Sequence, residues 1–302
     1  MSETPRFQDL AKGVRAGFWT TAAGFVLVLV VWLAAGFAIL MASPEARALV
    51  SMEDGHPPTP SGEAIGALAL LLGGFLPGFA TLLFWRRFVE RRPMASLFTG
   101  HGRFRWSLAA AAALATTLLA MTLGALLDVE SFAPFADRLA RFTPADWAMI
   151  LAAYGVAFAV QATFEEVFVR GWLLQHLARK LARAGVVIVA TALIFSAMHW
   201  GHPGWATHVA TFALGLAYGW SAFRLNGLEA AIGGHVANNF LSGALFGALM
   251  AGNEAVMTGP QMGMYALYAL GFVGFVEAWA RFGPRPAPAP APELAPPPPP
   301  PR

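Results

Sequence analysis

A chain of 302 residues that is 57% hydrophobic and only 12% charged does not have the composition of a soluble globular protein, in which about a quarter of residues are charged. Its net charge of +3 does not point to nucleic acid, because the basic residues cluster at the ends of apolar runs, where the positive-inside bias puts them. There is no cysteine, which excludes disulfides, thiolate catalysis and cysteine-ligated zinc.

The apolar residues come in about eight runs, most near the 20 residues that cross a hydrocarbon layer about 30 Å thick. The first run, 18–41, follows Arg6, Lys12 and Arg15 and is longer than a signal-peptide core, so it reads as a retained membrane helix. A loop with Glu45, Glu53 and Asp54 against one Arg47 leads to the second, 64–84. Arg86, Arg87, Arg91, Arg92, Arg103 and Arg105 separate it from the third, 107–127. A mixed loop with an acidic excess, 128–146, precedes the fourth, 147–168. From Trp172 to Ala184, Leu173, Leu174, Leu177 and Leu181 share one helical face, ringed by Gln175, Arg179, Lys180 and Arg183. That pattern predicts a short amphipathic helix lying at the interface. Segments 185–200, 206–224, 228–250 and 262–281 follow, the last flanked by Arg281 and Arg285. Pro284 to Arg302 is almost all Pro and Ala, a disordered or polyproline-II tail outside the fold.

Backbone polar groups in lipid must be satisfied within their own segment. The expected fold is therefore all-α, a polytopic membrane helix bundle with both termini in the cytoplasm by the alternation of loop charge.

Ionisable side chains inside such segments are costly and mark function. Glu165 and Glu166 are adjacent, so on a helix they point about 100° apart and serve different ends. Arg170 has ion-pair spacing to Glu166, which leaves Glu165 to face a cavity as a general base. The blander reading is a charge cluster capping a membrane helix. His199 ends an apolar run beside two competitors, His202 and His208; alone, it reads as an interfacial histidine. His235 and Asn239 are four apart on one helical face, behind Gly233 and Gly234, which permit close packing; their blander reading is a hydrogen bond between helices. Taken together, a Glu and two His can activate water directly, or hold Zn²⁺ with an open position.

Glu165-Glu166-x-x-x-Arg170, Phe195-x-x-x-His199 and His235-x-x-x-Asn239, complete and in order, resemble the motifs of the CPBP family of intramembrane proteases. That family includes the CAAX prenyl endopeptidases and the bacterial bacteriocin-processing or self-immunity (Abi) proteins. The resemblance covers roughly Trp147 to Met250. It divides the chain into N-terminal membrane helices (1–146), a protease core (147–250), a C-terminal helix (251–283) and the tail (284–302). It implies intramembrane endopeptidase activity on a peptide or membrane-protein substrate, in a bacterial inner membrane. Glu165 would activate water with help from His199, His235 and Asn239 would stabilise the oxyanion, and Glu166 and Arg170 would hold the geometry. The family is often classed as metalloproteases. Asn is a poor zinc ligand, so no tightly bound metal is expected; a zinc site, if present, would use Glu165, His199 and His235. The alternatives are a non-catalytic binding or immunity protein that keeps the fold, and a small transporter using His and Glu as a proton relay. A fourth span over 147–168 sets Glu165 near the cytoplasmic face and His199 near the opposite one. A broken or re-entrant helix around 164–172 or 200–206 is the expected way to bring them together.

Overall fold

The computed structural model describes residues 6–12, 17–51, 59–127, 129–181, 183–200, 205–247 and 259–284. The Pro/Ala tail beyond Pro284, Arg15, Glu53, Asp54, His202 and residues 248–250 of the expected seventh segment lie outside them. Among the described residues no sheet forms, and ten helices build the bundle. These are α1 (Phe18–Ala42), α2 (Pro44–Ser51), α3 (Pro60–Val89), α4 (Trp106–Leu127) and α5 (Ala133–Arg141). They continue with α6 (Pro144–Ala178), α7 (Ala184–Ala197), α8 (Trp205–Arg224), α9 (Glu229–Phe240, extended by the turn Leu241–Leu245) and α10 (Gly259–Phe282). The expected segments are helical over most of their described residues, to Ala197 in the fifth and Leu245 in the seventh. Among the described residues five helices are long and apolar enough to cross a membrane: α1, α3, α4, α6 and α10. The helices α7, α8 and α9 are shorter or more polar.

The outer surface is oily. Leu33, Phe37, Leu118, Leu193 and Leu270 are exposed, as lipid-facing side chains are, since a bilayer solvates Leu as well as a core does. Of the five long helices α6 is the most enclosed, with 44% of its apolar window buried against 6% for α1. It is the central post of the bundle. Thr143 and Asp146 close a capping box at its start, with Pro144 in the first turn. Its Phe164, Phe168 and Trp172 stack in succession, with ring centres 5.7 and 6.0 Å apart, and Phe25 of α1 stacks on Phe168 at 5.4 Å.

The helix expected to end at 168 runs on to Ala178. Over Val167–Leu173 its hydrogen bonds shift to the wider i→i+5 pattern, and the helix continues without a break. The stretch from Trp172 is therefore not an amphipathic surface helix. Trp172, Leu174, Gln175 and His176 are buried, because partners from distant parts of the chain satisfy their polar groups. Trp172 Nε1 donates to Glu90 Oε1 (2.7 Å), and His176 Nε2 meets the same oxygen at 2.8 Å. Arg86 donates to Glu90 Oε2 (2.7 Å), Gln175 Oε1 (3.0 Å) and Ser96 Oγ (2.7 Å). Arg86, counted in the sequence among the interfacial cations, is fully buried. Arg105 of the same group pairs with buried Glu229 at 2.8 Å. Near the other end of the bundle Arg138 of α5 makes a bidentate pair with Glu63 of α3 (2.8 and 3.1 Å) and caps the Ala244 carbonyl (3.0 Å).

The continuous α6 also resolves the depth conflict. The stretches from Glu165 to Ala178 and from Ala184 to Ala197 are each about 20 Å long. They are joined by the short connection 179–183, so the chain goes out and comes back by the same length. Glu165 and the end of α7 are thus level, and no break in 164–172 is needed. Close contact of α9 with α4 completes the frame: a Cβ on Gly233 would run into the Ala109 carbonyl.

Candidate active site

From Phe164 to His176 every residue of α6 is buried, including Glu165, Glu166 and Arg170. Arg170 Nη1 donates to Glu166 Oε1 at 3.0 Å, the ion pair its spacing suggests. The same oxygen accepts from His235 Nδ1 of α9 at 2.9 Å. Arg170 Nη2 reaches the Gly215 carbonyl of α8 (3.4 Å), and its guanidinium lies 4.1 Å from the centre of the Phe195 ring of α7. One cation thus ties α6 to α7 and α8, and one carboxylate ties α6 to α9.

Glu165, on a different face of α6, is used otherwise. Its Oε2 is buried with no hydrogen-bond partner among the described residues, and stands 3.5 Å from His235 Nε2. A carboxylate can only accept, so the Nδ1 of His235 that bonds Glu166 carries the proton. His235 Nε2 is left toward Glu165, as acceptor in the neutral ring or donor in the imidazolium. The ring is held by Tyr218 of α8, stacked at 5.6 Å and 23°, and by the Phe195 edge at 5.7 Å and 88°.

His199 follows the end of α7. Its Nδ1 bonds the Phe195 carbonyl at 2.9 Å, so Nδ1 carries a proton and Nε2 is the acceptor in the neutral ring. Its ring stands edge-on to Phe195 at 4.9 Å. Phe195 is the hub around which His199, His235 and Arg170 gather. Asn239 lies one turn beyond His235 and is bonded sideways: its Nδ2 donates to Gln161 Oε1 (2.8 Å), and its Oδ1 accepts from Asn238 (3.0 Å).

The competitor His208 has a structural use. Its Nδ1 donates to the Ser196 carbonyl (3.1 Å) and its own carbonyl accepts from Ser196 Oγ (2.8 Å), which fastens α8 to α7 beside His199. Two residues escaped the sequence reading. Gln161 had a signal, as the one amide side chain in the apolar run and one turn before Glu165. Tyr218 had none, because stacking on His235 is a product of tertiary packing alone.

Among the described residues no group of three His, Asp or Glu side chains is arranged to hold a metal ion; the bond from His235 Nδ1 to Glu166 leaves Nε2 as the nitrogen that faces Glu165.

Apolar helices enclosing a Glu–Glu–Arg–His cluster define an all-α integral membrane protein with its polar site inside the bundle. Residues 145–241, which include every side chain of that cluster, match the family model described as type II CAAX prenyl endopeptidase Rce1-like. Over these residues the chain is similar to Rce1-like proteins of the CPBP family. It is also similar to the uncharacterized protein YyaK of Bacillus subtilis (strain 168), with 24% identity over 159 residues. That match covers 51% of this chain and 52% of the relative, so the chain spans about half the length of the curated protein it matches. No solved structure matches.

Proposed function

We propose that this chain is an intramembrane endopeptidase of the CAAX-protease type, which hydrolyses a peptide bond in a peptide or membrane-protein substrate with water activated by Glu165. The observation that carries this reading is the unequal use of two adjacent carboxylates. Glu166 is committed through Oε1 to Arg170 and His235; each glutamate keeps a buried Oε2 without a hydrogen-bond partner among the described residues, but Glu165 has no arginine partner there and its Oε2 stands beside His235 Nε2. A carboxylate that is not paired with the arginine is the better acceptor for a proton from water.

In this scheme Glu165 takes a proton from water and the hydroxide oxygen bonds to the carbonyl carbon, sending the C=O π pair to oxygen. His235 Nε2 donates to that oxyanion as the imidazolium, its charge balanced by Glu166, and Asn239 supplies a second donor. Collapse re-forms the C=O bond and breaks C–N, and Glu165 returns its proton to the departing amine. His199 orients the water through Nε2. The scheme uses no tightly bound metal. The charge pattern of the loops supports both termini on the cytoplasmic side of a bacterial inner membrane.

The test is peptide profiling of membranes from cells that carry the wild type or Glu165→Ala. Products that vanish with the variant support the enzyme. Unchanged products with an unchanged phenotype sink it and favour a binding or immunity role. Metal content per mole of active purified protein, with activity after chelation, decides the metal-free scheme: one equivalent of zinc that tracks activity overturns it.

A further inference from the structure

Gln161 is 93% buried in the apolar middle of α6, where an amide without partners is costly. It lies one turn before Glu165, and Asn239 lies one turn after His235. The two facing helices therefore carry two rungs, Glu165–His235 and Gln161–Asn239, about 6 Å apart along the helix. The second rung belongs to a directed chain of amides: Asn238 Nδ2 donates to Asn239 Oδ1 (3.0 Å), and Asn239 Nδ2 donates to Gln161 Oε1 (2.8 Å). This chain fixes which way the Asn239 amide faces. With its oxygen held by Asn238 and one N–H held by Gln161, the amide cannot turn over without setting oxygen against oxygen. Its second N–H is left to donate elsewhere.

We infer that Gln161 is a positioning residue, which locks Asn239 with its nitrogen toward α6 so that the remaining N–H serves the site formed by Glu165 and His235. The inference rests on the proposed role of Asn239 as an oxyanion donor. It does not require Gln161 to touch the substrate.

The test is a four-corner comparison of wild type, Gln161→Met, Asn239→Ala and the double variant. The probe is a fluorogenic peptide that spans the cleavage site marked by the new terminus of a product lost in the Glu165→Ala strain. Asn239→Ala is expected to lower kcat by about 10²–10³. Gln161→Met, which removes the acceptor and keeps the bulk, should lower kcat by about tenfold with KM little changed. In the Asn239→Ala background Gln161→Met should add nothing, and Gln161→Glu, which still accepts from Asn239, should restore part of the loss. A full Asn239 effect with no Gln161 effect, or two effects that multiply, overturns the inference and leaves the enzyme reading standing. An Asn239→Ala protein with unchanged kcat brings down the oxyanion role itself. A readout independent of turnover is the side-chain amide of Asn239 by NMR in detergent. One of its protons should be protected from exchange in the wild type and lose that protection in Gln161→Met; unchanged protection overturns the inference.

Discussion

Arg170→Met tests the ion pair at the centre of the site. Arg170 and Glu166 are both fully buried, 3.0 Å apart, and Met retains most of the apolar stem while losing the guanidinium that lies over Phe195. With an effective dielectric of about 20, the Coulomb attraction at that distance is about 5–6 kcal/mol. Part of it offsets the cost of removing both charges from water, but the variant loses the attraction and keeps a buried carboxylate. A loss of about 3–5 kcal/mol is expected. His235 already bonds the same oxygen and remains as a donor to it, which limits the loss. The double variant Glu166→Gln/Arg170→Met removes the stranded charge and should recover more than half of the stability. The assay is reversible unfolding in mixed micelles, titrated with dodecyl sulfate and followed by tryptophan fluorescence. A single variant as stable as the wild type, or a double variant no better than the single one, would refute the reasoning.

Three further outcomes follow from the packing and the polar network. Gly233→Ala sets a methyl group against the Ala109 carbonyl, backbone that no rotamer change can move aside; it should cost about 1–3 kcal/mol or more in the same assay. Gly185→Ala on α7 meets nothing within 4 Å and should cost nothing, so equal losses would remove the packing argument. Burial opposes the charge on Glu90, but hydrogen bonds from His176 and Arg86 outweigh it and hold the pKa below the ordinary 4.5. A carboxylate depressed in the folded state contributes stability above its unfolded pKa, and that contribution is lost as pH falls through the folded value. The melting temperature in detergent should therefore drop as pH falls below about 4.5, and Glu90→Gln should flatten that drop; an unaltered slope would count against the network.

Helix formation and the identity of the candidate residues were legible in the sequence because both are local properties. An apolar run in lipid has no backbone option but a helix, and Glu165, Glu166, Arg170, His199, His235 and Asn239 stand out as polar groups in oily surroundings. The Arg170–Glu166 pair was legible as well, since i,i+4 spacing on one helix decides it. Tertiary structure decided the rest. Whether Trp172 to Ala178 lies on a surface or continues the central helix depends on partners such as Glu90 and Arg86, which no window along the sequence contains. The same holds for Arg86, whose charge reads as interfacial until Glu90, Ser96 and Gln175 enclose it. It holds for the common level of Glu165 and the end of α7, because depth in the bundle is a sum over a whole helix and its return. That His235 bonds Glu166 through one nitrogen and turns the other toward Glu165 required α6 and α9 in register. Hydrogen bonds act over about 3 Å, whereas His235 and Glu166, which share one, lie 69 positions apart in the chain.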